Sequence, residues 1–258
     1  MNRETAPQKA NFRSNKVKSL QTRAGVPARS KSSVAGRVHP RQLAFSLPHA
    51  ESLSRDNFLE GPANAAGLAL IDGWPEWPNR IMWLAGPEGS GKSHLAAIWA
   101  EEAGARSTTA NALTAADVPG ALATGALVVE DLRAGDFDER ALFHLMNLAR
   151  EDGAYVLFTG REAPAAIEAE LRDLRSRLRT VPVISLAPPD DQLFRGLIVK
   201  FCADRQLSMD ESVVSYLATR LERSSAAARQ AVELLDSEAL RLGRPVTRAL
   251  AAELLRDA

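Results

Sequence analysis

The chain has 258 residues, 45% of them hydrophobic and 25% charged, with 32 Lys and Arg against 32 Asp and Glu. That is enough chain for a real core, in one large domain or two small ones, and the charge balance excludes a wholly basic nucleic-acid coat or an acidic tail protein. One cysteine, Cys202, excludes a disulfide framework and a cysteine-only zinc site, and four scattered histidines make no His-rich metal site.

The balanced total is unevenly spread. Residues 1–41 hold ten basic residues and one acid, a formal +9, and the other 22 basic and 31 acidic residues give −9. This first segment is rich in Ser, Ala, Gly and Pro and poor in large apolar side chains. It cannot bury enough surface to offset its ordering entropy, so it reads as a disordered basic arm. Its charge suits nucleic acid or an acidic partner, whereas the acidic body argues against broad DNA binding by the folded part. No apolar run is long enough to span a membrane and no signal core is present, so a cytoplasmic protein without a membrane role is expected.

From residue 58 onward short apolar runs alternate with amphipathic stretches. Residues 80–85 read as a buried strand ending in a Gly-rich turn. Residues 92–103 have helical spacing, with Leu95, Ile98 and Trp99 on one face. A weaker strand is expected near 106–109, and further apolar runs lie at 126–129, 154–158 and 181–186, with an amphipathic helix over 138–151. Continuous apolar runs separated by helices predict an α/β fold, a five-stranded parallel sheet between helices. After the Pro pair 188–189 the chain reads as helices near 190–205, 210–222, 224–241 and 246–257, a small all-helical unit. Asp190 and Asp210 are expected at helix starts, and the 243–245 turn precedes the last helix. The expected organisation is an arm over 1–41, a linker over 42–55, an α/β core over 56–187 and a helical lid over 188–258.

Gly86, Pro87, Glu88, Gly89, Ser90, Gly91, Lys92 and Ser93 fit G-x-x-x-x-G-K-[ST] at every defined position. A strand precedes this motif and a helix follows. Glycines let such a loop wrap its N–H groups around phosphate oxygens, with a helix N-terminus behind them. Lys92 is expected on the β- and γ-phosphates of ADP or ATP, and the Ser93 hydroxyl on Mg²⁺. The run at 126–129 ends in Glu130 and Asp131, acids for the metal and for an attacking water. Strand alternation predicts that the two point in different directions and take different roles. Thr159 ends the next run, where it would meet the γ-phosphate or the attacking water. His94 and His144 read as surface or packing residues. Arg175, Arg177 and Arg179 crowd between a helix and the last strand, which suits either a solvated basic face or an arginine finger acting on a neighbouring subunit.

Together these residues resemble the AAA+ ATPases, and among them the DnaA-related proteins. Residues 86–93 match the Walker A motif and 128–131 the Walker B motif, and Thr159 falls at the sensor-1 strand end. Residues 174–178, Leu-Arg-Ser-Arg-Leu, resemble the initiator's Leu-Lys-Ser-Arg-Phe segment. The resemblance implies an AAA+ P-loop core with a lid, Arg177 as a catalytic finger in trans, and Arg229 as the sensor-2 arginine on the bound nucleotide. It also implies that Asn57 and Phe58 lie beside the adenine. Upstream, residues 42–47 read Gln-Leu-Ala-Phe-Ser-Leu and resemble the peptide by which proteins dock on the DNA polymerase sliding clamp, through Gln42, Leu43, Phe45 and Leu47. The chain ends after the lid, so neither the initiator's DNA-reading domain nor its N-terminal domain is expected.

That combination is similar to the Hda-like regulatory inactivators of DnaA. The resemblance implies docking on the DNA-loaded clamp (the β subunit), with DNA met mainly through it. It implies contact with ATP-bound DnaA, stimulation of its ATP hydrolysis, and self-association as a homodimer or oligomer. Glu130 stands where the initiator has Asp, and its extra methylene shifts the carboxylate, so a weak ATPase of its own is expected. Gly160 and Arg161 also replace a Ser-Asp pair of the family. The alternatives are an AAA+ helicase loader and a DnaA paralogue that regulates initiation through the basic arm.

Overall fold

The computed structural model describes residues 53–256. The arm 1–41 and the peptide residues Gln42, Leu43, Phe45 and Leu47 lie outside the described residues.

Five strands form one parallel sheet: β1 Ile81–Ala85, β2 Arg106–Thr109, β3 Ala126–Leu132, β4 Tyr155–Gly160 and β5 Val183–Ser185, in the order β2-β3-β4-β1-β5. The interior strand β1, between β4 and β5, is buried at every residue, because helices cover both faces of the sheet. Its side chains alternate between two cores. Ile81 and Trp83 enter a cluster with Leu127, Val129 and Phe158 and with the helices α3 Val118–Ala121, α4 Glu139–Asp152 and α5 Arg172–Leu178. Met82 and Leu84 enter the opposite cluster with Val128 and Leu157 and with α1 Ala65–Asp72 and α2 Lys92–Ala103. There the Trp77 ring stacks on the fully buried Trp99, ring centroids 4.8 Å apart. Burying rings of this size is among the largest single contributions a core receives.

Local signals set the helix ends. The Asp138 carboxylate accepts from the N–H groups of Arg140 and Ala141 and starts α4, which Gly153 ends in the left-handed conformation. The chain then forms α6 Asp191–Asp204, α7 Glu211–Arg220, α8 Ser225–Leu242 and α9 Arg248–Leu254. Asp190 caps α6 through Leu193 N–H, Ser224 caps α8 through Ala227 N–H, and Thr247 caps α9 through Leu250 N–H. Asp210 stands at the N-cap of α7 but makes no side-chain cap bond. Gly243, at φ +61°, closes α8. These four helices bury their own cluster, including Phe194, Ile198, Leu217, Val232, Leu235 and Ala251. Cys202 belongs to it, and burial pushes its thiol up to about 11, which keeps it protonated and unreactive at neutral pH. Among the described residues no helix is long and apolar enough to cross a membrane.

The elements follow the expected order with shifted ends. Strand β3 runs three residues past 129, to Leu132, so Glu130 and Asp131 lie within it. Strand β5 is shorter than the 181–186 run. Helices α1 and α3 stand where no element was expected.

Candidate functional site

A cleft of about 780 Å³ opens where the C-terminal ends of β1, β3 and β4 meet α6 and α8, within the size range of small-molecule sites. Its floor is the loop between β1 and α2, through residues 88–93. Gly89 and Gly91 take φ of +71° and +96°, the left-handed region that a side chain disfavours. Close approach matters as much at Gly89. A Cβ there would lie 2.7 Å from Ser224 Cβ and 2.9 Å from the Ser225 nitrogen. Ser225 N–H donates to Gly89 O at 3.1 Å, so the N-terminus of α8 is seated directly on the loop.

Lys92 begins α2. Its ammonium donates to Gly86 O at 2.8 Å and Pro87 O at 2.7 Å, which uses two of its three N–H bonds. Burial first, and the positive charge of Arg161 second, hold its pKa below the ordinary lysine value. Ser93 follows on the exposed side of the cleft. The Ser90 hydroxyl is buried without a hydrogen-bond partner. A buried polar atom of that kind, in a glycine cradle a Cβ would fill, fits a phosphate oxygen as its missing partner.

The wall is built by β3 and β4. A register shift interrupts their pairing between Val129 and Leu132, and Asp131 takes φ +58° there. Asp131 N–H donates to the hydroxyl oxygen of the buried Thr159 at 3.0 Å. The bulge therefore breaks the expected alternation, and Glu130 and Asp131 border the same cleft. Thr159 is committed as an acceptor, and its O–H remains a donor for the cleft.

Two arginines complete this end. Arg133 grips Asp131 with two parallel bonds of 2.7 and 2.6 Å. Arg161, just past β4, pairs with Glu88 of the loop. All four residues line the cleft. Nothing in the sequence singled out Arg133, because its role depends on the bulge that turns β3 at Asp131.

The other end lies between α6, α8 and the segment before α1. Arg229 on α8 borders the cleft with its guanidinium 5.1 Å above the Phe201 ring. Phe58 is buried edge-on to His94, ring centroids 5.1 Å apart, and Asn57 donates to Ser54 Oγ at 3.1 Å. His94 Nε2 lies 3.0 Å from Ser54 O, which ties this segment to α2. Asn57, Phe58 and His94 all line the cleft, whereas His144 is exposed on α4.

Arg177 does not line this cleft, and neither do Gly86 and Pro87 at the start of the loop. Arg177 sits on α5 with its guanidinium 5.1 Å above the Phe143 ring of α4. Its neighbour Arg175 donates twice to Ala169 O, at 3.1 and 2.6 Å, and so braces the turn before α5. Among the described residues no cluster of three or more His, Cys, Asp or Glu could hold a metal. Ser93 and Glu130 both border the cleft.

No protein-family model matches this chain. Domain III of the replication initiation protein DnaA from Thermotoga maritima is similar in structure, with a TM-score of 0.66 at 20% identity, covering 82% of this chain and 98% of that one. AMPPCP-bound DnaA from Aquifex aeolicus is similar with a TM-score of 0.57 at 18% identity, over 71% of this chain and 64% of that one. The Thermotoga maritima RuvB Holliday junction branch migration motor gives a TM-score of 0.60 at 17% identity, over 75% of this chain and 67% of that one. The chain thus spans about two thirds of the length of the two longer proteins. The shared feature is the fold, the α/β architecture that this chain has in common with DnaA domain III and RuvB.

Proposed function

We propose that the protein binds ADP or ATP in this cleft and uses Arg177 on the ATP of a DnaA molecule, as a clamp-docked negative regulator of replication initiation. The observation that carries this reading is the division of labour among its cations. Lys92 and Arg229 border the chain's own cleft, while Arg177 stands outside it on α5. An arginine excluded from its own cleft is suited to a phosphate on another subunit. The organisation is an AAA+ core over 56–187 and a lid over 188–258, behind the arm 1–41 and the peptide and linker of 42–55.

Each group has a definite task in this reading. Loop N–H groups, Lys92 and the α2 N-terminus hold the phosphates, and Ser93 and Glu130 reach the metal when Mg²⁺ is present. Arg229 contacts the nucleotide from the lid, and Asn57 and Phe58 border the base. Asp131 is bound to Arg133, which leaves it poorly placed to act on water, so the protein's own ATPase is weak. Gln42, Leu43, Phe45 and Leu47 dock on the sliding clamp in the cytoplasm. DNA is then met mainly through the clamp, and assembly as a homodimer or oligomer would place copies together there.

The test is hydrolysis of ATP preloaded on DnaA, in the presence of DNA-loaded clamp. Wild type should stimulate it, and both Arg177→Ala and the Gln42→Ala/Leu43→Ala pair should lose that stimulation. A finger supplies about 10³–10⁵ in rate where it acts in full, so a partial effect would still be measurable. No stimulation by a nucleotide-binding wild type would redirect the reading to a helicase loader.

A further inference from the structure

We infer that Arg133 and Arg161 form a built-in dication for the terminal phosphate, so that this cleft binds a nucleoside diphosphate without needing Mg²⁺. The inference rests on the nucleotide-binding reading above and specifies how that site neutralises charge. Its evidence is the ion pairing at the phosphate end. Glu88, Glu130 and Asp131 border the cleft there, and Lys92 alone could not balance three carboxylates and a polyphosphate. Arg133 and Arg161 border it too, each already paired with one of those acids. Lys92, Arg133 and Arg161 together match the three carboxylates, so the acids no longer repel a polyphosphate, a task Mg²⁺ would otherwise have.

Geometry supports the substitution. The Arg133–Asp131 contact uses the Nε and one Nη edge of the guanidinium, and Arg161 meets Glu88 through one Nη. A guanidinium has five N–H donors, so each arginine keeps free donors for a phosphate without releasing its carboxylate. The two pairs come from different elements: Arg133 and Asp131 from the β3 end, Arg161 and Glu88 from the β4 exit and the loop. Both lie close enough to Lys92 for their charges to act on its ammonium. A metal, by contrast, would have to compete with Arg133 for Asp131. Glu130 and the Ser93 hydroxyl would then remain as its protein ligands, beside waters and phosphate oxygens.

The experiment is a titration of the full chain with a fluorescent ADP analogue, in Mg²⁺ and again in EDTA. Wild type should bind with nearly the same Kd in both. The Arg133→Gln/Arg161→Gln double variant should bind about tenfold or more weakly in EDTA and recover on adding Mg²⁺, because it loses charge-assisted bonds and frees two carboxylates. Arg133→Lys/Arg161→Lys should keep most of the EDTA affinity, and unchanged melting of the free variants would show that folding is not at issue. A wild-type affinity that falls tenfold in EDTA would overturn the inference while leaving the nucleotide site standing. So would a double variant that binds as wild type in EDTA. No binding by wild type in either buffer would overturn both.

Discussion

Inside the cleft Arg133 and Arg161 each grip a carboxylate, whereas on α5 Arg177 rests over an aromatic ring and, among the described residues, has no carboxylate partner. The two regions hold their cations for different purposes. A paired arginine is fixed in place and its charge is locally balanced. Arg177 keeps its donors, and the ring beneath it limits its motion at little cost in charge. In the proposed reading the cleft is organised for a ligand of this chain, and α5 for a charge that arrives from outside.

The sharpest way to break that comparison is a crossover between Lys92 and Arg177. Lys92→Ala should weaken nucleotide binding about tenfold to a hundredfold, since charge-assisted bonds to phosphate are worth ~1.5–3 kcal/mol. Arg177→Ala should leave nucleotide affinity unchanged, because the side chain does not border the cleft. Calorimetric titration of both variants with ADP checks this. A fall in affinity for Arg177→Ala would place α5 in the chain's own site and erase the division.

Much of this was legible in the residues. The loop 86–93 carries its own spacing rule, and its flanking strand and helix fall where apolar periodicity puts them. Strand β2 falls at the expected 106–109 although it is mostly exposed. Helix α1 was hidden: its sequence, Ala-Ala-Gly-Leu-Ala-Leu-Ile-Asp, has no polar stripe to give it a period, and it is buried between α2 and β5. Helix α3 is four residues long, too short for any period. The bulge at Asp131 was hidden for a different reason. Nothing local demands φ +58° of an Asp, and the position depends on Thr159 from the next strand. Arg133 and the seat of α8 on Gly89 are likewise contacts between elements, which no single segment encodes.

A smaller effect would sharpen the contrast on the α5 side. Glu139, on the first turn of α4, accepts from Glu170 N–H at 2.7 Å and Leu171 N–H at 2.8 Å. Those amides stand at the start of α5, where no side chain of α5's own supplies a cap. Phe143, one turn along the same face of α4, carries Arg177. Glu139 is thus a positioning residue for Arg177. Glu139→Gln keeps the acceptor on one side only, and should lower the stimulation of DnaA hydrolysis several-fold while leaving ADP affinity untouched. Glu139→Ala should lower the stimulation more, while its cost in stability should be about 1 kcal/mol or less, because the two amides are exposed and meet water. Equal loss of stimulation and of ADP affinity would assign Glu139 to general stability instead.

The smallest effect concerns the cleft side, at the seat of the lid. Ser224 is buried, its hydroxyl accepts from Ala227 N–H at 3.1 Å, and its Cβ faces the space that Gly89 leaves free. Two roles are combined there: capping α8, and filling the contact with the loop. Ser224→Ala keeps the Cβ and removes the cap, which should cost about 1 kcal/mol, or a melting shift of ~2–4 °C for a domain of this size. Ser224→Gly removes both, yet glycine caps a helix nearly as well as serine, so the cap alone would cost only a few tenths of a kcal/mol. If Ser224→Gly is the milder change, capping dominates and ADP affinity should move little in either variant. If Ser224→Gly is the worse, the packed contact with Gly89 dominates, and ADP affinity should fall with it because α8 also carries Arg229 to the cleft. Either result measures how firmly the lid is tied to the loop, a coupling that α5 does not share.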